Sequence, residues 1–158
     1  MVIHPIKPVY DSDSRILILG SFPSVKSREE MFFYGHPQNR FWKVISRVYE
    51  CDEPKDITEK KSFLLAHGVA VWDVIASCDI VGSSDSSIKN VVPNDLNIIL
   101  EKAKIERIFV NGKTAKKYYD KYIKNLIERE AICLPSTSPA NAAWSLDRLV
   151  DEWKKIKD

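Results

Sequence analysis

Short apolar runs punctuate the chain at Ile16-Leu17-Ile18-Leu19, Val69-Ala70-Val71-Trp72, Ile105 to Val110 and Ala131 to Leu134. The first two carry no polar residue at all, which suits strands buried on both faces, as in a parallel sheet covered by helices. Between the runs the apolar period lengthens to that of a helix. Phe41, Trp42, Ile45 and Val48 recur at helical spacing over 39–49, with Lys43 and Arg47 between them. Asp56 and Glu59 form a capping-box-like start for a second helix, which Gly68 ends after His67. Asn94 caps a third predicted helix with Leu96, Ile99, Leu100 and Ala103 inward. Asn111-Gly112-Lys113 turns into a fourth, reaching about Ile127. A last amphipathic helix carries Trp144, Leu146, Leu149, Val150 and Trp153.

Strands alternating with helices predict one domain over 1–158, a three-layer α/β/α sandwich around a four-stranded parallel sheet. Residues 1–14, with Pro5 and Pro8 and then Asp11-Ser12-Asp13-Ser14, read as an extended N-terminal arm and a turn. Loops that follow parallel strands open at one edge, where α/β sheets place their ligands. Here those loops are polar: Gly20 to Trp42, a serine-rich stretch from Ser77 to Val92, the turn at Asn111, and Pro135 to Asn141. The stretch from Ser77 is long enough to be a functional or a disordered loop.

Composition narrows the chemistry. At 158 residues, 44% hydrophobic and 29% charged, the chain can bury one real core. A net charge of +2 is too mild to establish a nucleic-acid partner, though it fits basic residues gathered on one face. Cys51, Cys78 and Cys133 are odd in number and widely spaced, which excludes a fully paired disulfide framework and any Cys-x-x-Cys metal motif. Buried thiols, no apolar leader and no membrane-length run give the expectation of a soluble cytoplasmic protein. His4, His36 and His67 lie far apart and lack carboxylates at ligand spacing, so no metal is expected. There is no Gly-x-x-x-x-Gly-Lys-Ser/Thr, no Gly-x-Gly-x-x-Gly and no Gly-x-Ser-x-Gly, which argues against a nucleotide cofactor or a serine nucleophile. The predicted edge retains short hydroxyls (Ser21, Ser24, Ser27, Ser136, Thr137, Ser138) with Lys26, Arg40 and Lys113, a set that suits phosphate. Serines and prolines also make ordinary turns, so the residue types alone leave the ligand open.

Four segments make it more specific. Gly20-Ser-Phe-Pro-Ser24, Tyr34-Gly-His-Pro-Gln-Asn-Arg-Phe-Trp42, Phe109-Val-Asn-Gly-Lys113 and Leu134-Pro-Ser-Thr-Ser138 occur in that order, each after a predicted strand. Together they resemble the uracil-DNA glycosylase superfamily from about Ser14 to Trp153. The last three are similar to its mismatch-specific uracil/thymine branch, and the whole combination most resembles its hypoxanthine-DNA (deoxyinosine) glycosylase branch. The resemblance implies a monofunctional enzyme that flips a deaminated base out of DNA, hydrolyses its glycosidic bond and leaves an abasic site. It implies no cofactor, DNA containing deaminated bases as the partner, and no obligate protein partner.

Residue by residue, the resemblance implies catalysis by Asn39, through orienting water or holding the departing base, although Asn39 also reads as a plain helix cap. It implies base contact by Tyr34 as a stacking ring, by Phe22, and by Asp73, whose carboxylate can accept from N1–H of hypoxanthine. Ser21, Ser24, Lys26, Lys113, Ser136, Thr137 and Ser138 are the implied DNA contacts. The chain departs from the family pattern in two places. Phe22 stands where relatives usually present a water-holding Asp or Asn, and the 134–139 loop lacks the histidine that several relatives use on the leaving base. The iron–sulfur branches need cysteines that this chain does not have. Alternative expectations are excision of uracil or mismatched thymine, a DNA-binding relative without catalysis, and an unrelated phosphate-ester-binding α/β protein.

Overall fold

A computed structural model describes residues 1–158. In chain order its strands are β1 (Val2–Ile3), β2 (Ile16–Gly20), β3 (Val69–Asp73), β4 (Ile75–Asp79), β5 (Lys89–Pro93), β6 (Arg107–Asn111) and β7 (Ile132–Leu134). The helices are α1 (Val25–Glu30), α2 (Phe41–Val48), α3 (Ile57–Ala66), α4 (Asn97–Leu100), α5 (Lys113–Tyr122), α6 (Lys124–Ile127) and α7 (Leu146–Trp153). The main sheet has the order β3-β2-β6-β7 with every pair parallel. The four expected strands and the layered α/β architecture are therefore present.

Strand β2 is the centre of the main sheet, and Leu17, Ile18 and Leu19 are fully buried, so both faces are covered. The chain leaves β2 toward β3 on one side and later returns to β6 on the other. Right-handed crossovers then put α2 and α3 on one face and α5 on the opposite one. Helix α7 comes back to pack on α2, where Trp153 meets Phe41 edge to face at 5.8 Å. Because connections from β2 and β6 diverge, a crevice opens at the carboxyl ends of these two neighbours.

Helix ends follow the local chemistry. Asp56 accepts from the Glu59 amide at 2.8 Å and starts α3, and Gly68, at φ 69°, ends it. Replacing Asp56 with Ala should cost about 1 kcal/mol, read as a lowered urea midpoint with an unchanged slope. Three expectations are corrected. Residues 77–92 are not an open loop: β4 and β5 form an antiparallel hairpin, β1 adds to it as a third strand, and the N-terminal arm thereby joins a small second sheet. Asn94 does not cap a helix, since its side-chain amide donates to the Asp73 carbonyl and only the short turn α4 follows. The helix expected from Lys113 to Ile127 breaks at Ile123, whose φ and ψ are −117° and −44°. No helix is long and apolar enough to cross a membrane.

Candidate active site

All four main-sheet strands deliver their last residues to one edge. Gly20 ends β2 beside Asp73 of β3, and Asn111 ends β6 beside Leu134 of β7. A cavity of about 520 Å³ lies over this edge, within the range of small-molecule sites. Among its lining residues are Gly20, Ser21, Phe22, Ser24, Tyr34, His36, Asn39, Asp73, Asn111, Ser136, Thr137 and Ser138. Residues from four separated segments thus meet, because parallel strands place their carboxyl ends at the same side.

Asn39 is held firmly. Its Oδ1 accepts from the Phe41 amide and from the Thr137 hydroxyl, both at 2.9 Å. The Phe41 amide can only donate, which fixes the orientation of the Asn39 side-chain amide. Thr137 Oγ1 in turn accepts from Asn111 Nδ2 at 3.0 Å, and the Thr137 amide donates to Asn111 Oδ1 at 3.0 Å. Oδ1 of Asn39 is therefore occupied inside the protein, while its NH₂ group makes no bond within the protein and lines the cavity. The residue offers a donor, not an acceptor, to a ligand.

Asp73 supplies the opposite function. It is 4% exposed, and its Oδ2 bonds to His4 Nε2 at 2.7 Å. Oδ1 has no hydrogen-bond partner and sits against the backbone of Gly20: a Cβ on that glycine would lie 2.4 Å from it. The hydroxyl of Tyr34 is on the same spot, 3.1 Å from that Cβ position, and is buried without a hydrogen-bond partner. Burial, with the Asp73 carboxylate nearby, pushes the Tyr34 hydroxyl far above its ordinary range, so it stays protonated. One face of the Tyr34 ring is already stacked on Phe41 at 4.0 Å, which leaves at most the other for a base. Phe22 is buried; the Arg28 guanidinium lies 5.6 Å from its ring centroid, and the His4 ring packs nearly perpendicular to it at 5.9 Å.

The predicted phosphate contacts divide. Ser21, Ser24, Ser136 and Ser138 line the cavity, and Lys113 lines an adjoining one that shares Ser136 and Ser138. Ser24 also caps α1, accepting from the Ser27 amide at 3.1 Å. Lys26 lines neither cavity and faces Glu30 at 3.6 Å. Thr137 is a correction: it is fully buried, its hydroxyl joins Asn39 to Asn111, and its carbonyl accepts from the Arg40 amide, so it positions Asn39 and has no group free for a phosphate. Arg40 is a second correction, because its guanidinium is spent on the carbonyls of Asn141 and Trp144 and ties the 135–145 loop to α2.

Sequence reasoning missed three participants. Asn111 lies inside the Phe109–Lys113 segment, where the sequence assigns it no role beyond the turn. His4 enters the sequence reading only as a potential metal ligand. Asp85 was hidden in the supposed loop; the hairpin carries it to the rim, where its Oδ1 faces Ser21 Oγ at 3.5 Å.

Comparison with known proteins is consistent with this geometry. The profile of the Uracil DNA glycosylase superfamily matches residues 7–157. A protein named hypoxanthine DNA glycosylase from Methanosarcina acetivorans is 32% identical over 158 residues, covering 99% of this chain and 98% of its own. Another of that name from Methanosarcina barkeri is 30% identical over 136 residues, covering 85% of each chain. A solution NMR structure from Methanosarcina acetivorans, described as a candidate uracil DNA glycosylase, superposes with a TM-score of 0.81 at 28% identity over the whole of both chains.

Proposed function

Since this chain belongs to the uracil-DNA glycosylase superfamily, we propose that it is a monofunctional DNA glycosylase that excises deaminated bases, hypoxanthine foremost. The observation that carries this reading is one free amide donor, Asn39 Nδ2, and one free carboxylate acceptor, Asp73 Oδ1, lining the same cavity. Hypoxanthine presents both complements: N1–H for the carboxylate, and lone pairs at O6, N3 and N7 for the amide. The hypoxanthine DNA glycosylases of Methanosarcina, similar over 85% or more of the chain, support the same choice.

The chemistry then follows from charge. When the bond between C1′ and N9 breaks, its electron pair stays on the base and the sugar becomes an oxocarbenium-like cation. Water adds to C1′, and the proton it loses passes through solvent to the departed base anion, so that neutral base and an abasic site are the products. In this reading Asn39 donates to the base as negative charge gathers there, an interaction that strengthens toward the transition state. Phe22 cannot hold or polarise water, so the enzyme relies on departure of the base before water attacks. A purine lactam, held by its N–H and polarised at an acceptor, suits that sequence.

Labelled duplexes, each carrying one inosine, uracil, xanthine or mismatched thymine, test this reading after alkali treatment of the products. Inosine strands should break fastest. Breakage of uracil strands with inosine strands intact would overturn the substrate assignment. Salt-dependent duplex binding with no breakage at high enzyme concentration would instead indicate a DNA-binding relative without catalysis.

A further inference from the structure

We propose that His4 is the positioning residue that fixes Asp73 as a hydrogen-bond acceptor, and so sets the preference of the pocket for hypoxanthine, which bears N1–H, over its amino-bearing parent adenine, which does not. The proposal rests on the glycosylase reading above and assigns a specificity role to a residue of the N-terminal arm.

The backbone places His4 securely. Its amide donates to the Ala76 carbonyl at 2.7 Å, next to the pairing of β1 with β4. Its ring is enclosed by Phe22, Phe33 and Trp72, with centroids 5.9, 6.2 and 6.4 Å away. Nδ1 accepts from the Ile6 amide at 3.2 Å. A backbone amide can only donate, so Nδ1 carries no proton, and the proton of the neutral ring sits on Nε2. That N–H points at Asp73 Oδ2, 2.7 Å away, with both side chains at most 5% exposed.

This tautomer dictates what Asp73 offers. With Oδ2 accepting a hydrogen bond from His4 Nε2–H, the carboxylate needs no proton of its own to satisfy that contact, and Oδ1 presents bare lone pairs to the cavity. A base with N1–H, such as hypoxanthine, completes the arrangement. Adenine places a lone pair at N1 and meets the carboxylate with repulsion and with two acceptors left unpaired, the kind of mismatch that buried polar sites reject strongly. Gly20 adds to the constraint, because its missing Cβ lets Oδ1 sit directly over the end of β2.

The test compares His4→Phe, which keeps an aromatic ring but has no N–H, with His4→Gln, whose side-chain NH₂ reaches the position of Nε2. Each is also combined with Asp73→Asn. His4→Phe should lower kcat/KM for inosine duplexes about 10- to 100-fold, the scale of a lost hydrogen bond to a charged group. His4→Gln should recover most of that loss. In the Asp73→Asn background neither change should matter further, since His4 acts through Asp73. Nitrogen-15 NMR of the unmutated protein should show a neutral imidazole protonated at Nε2. Full activity in His4→Phe, an equal additional loss in the Asp73→Asn background, failure of His4→Gln to rescue at unchanged thermal stability, or an Nδ1–H tautomer would each overturn the proposal. Wild-type inactivity on every deaminated base would instead remove the glycosylase reading and this proposal with it.

Discussion

Asn39→Asp is expected to reduce single-turnover excision of hypoxanthine by about 10²- to 10³-fold, the scale of removing one transition-state donor, while leaving the fold intact. The substitution separates the two duties of this side chain. Asp retains an Oδ1 that can accept from the Phe41 amide and the Thr137 hydroxyl, so the start of α2 and its tie to the 135–139 loop survive. What disappears is the NH₂ group facing the cavity, replaced by a carboxylate oxygen that repels the departing base. Asn39→Ala should be at least as inactive, but it also removes the acceptor that serves α2, at about 1 kcal/mol of stability. Undiminished activity in Asn39→Asp at unchanged melting temperature would take Asn39 out of the chemistry and leave it as a helix cap.

Gly20→Ala should be nearly as damaging to activity, through sterics. Its Cβ would stand 2.4 Å from Asp73 Oδ1 and 3.1 Å from Tyr34 Oη. Asp73 cannot retreat freely, because its other oxygen is held by His4. Tyr34 cannot move aside easily either, since its ring is stacked on Phe41 and its backbone is already in the left-handed region at φ 54°. Relief of the clash must therefore break the His4 contact or shift the strand end. We expect a destabilisation of about 1–3 kcal/mol and a loss of roughly 10²-fold in kcat/KM, the scale that a misplacement of about 1 Å in a positioning group can reach. Thermal melting and single-turnover kinetics on the inosine duplex measure the two effects separately. An alanine variant as active as the parent would mean that Asp73 Oδ1 is not a substrate contact.

The main sheet was legible in the sequence because buried parallel strands write themselves as unbroken apolar runs, and Ile16–Leu19 and Val69–Trp72 are such runs. The convergence of Gly20, Asp73, Asn111 and the Ser136–Ser138 segment followed from topology once those strands were parallel. The β4–β5 hairpin was not legible. Its strands lie in a small sheet with much of β5 exposed, so Ser77, Asn90 and the serines at its tip carry the composition of a loop. The internal partners of the site were hidden for a different reason. Asn39 and Thr137 are 98 residues apart, His4 and Asp73 are 69 apart, and no local pattern announces a side-chain bond of that span. Arg40 shows how a charge can mislead: beside a phosphate-like edge it resembles a DNA contact, yet its guanidinium closes on loop carbonyls.

The departure at Phe22 gains a physical setting from these contacts. The ring covers His4, which in turn holds Asp73. The position at which the resemblance implies a water-holding Asp or Asn is here part of the wall behind Asp73. In the proposed reading the polar work falls to Asn39 and Asp73, which line the same cavity as Tyr34.

The most direct measurement is the release of free base from a duplex carrying a single inosine, with enzyme in excess and products identified by mass. One equivalent of hypoxanthine, together with a strand that stays whole until alkali is added, is the predicted result. An intact duplex with no hypoxanthine released, or a strand nicked before alkali, would contradict hydrolysis of the glycosidic bond by this pocket.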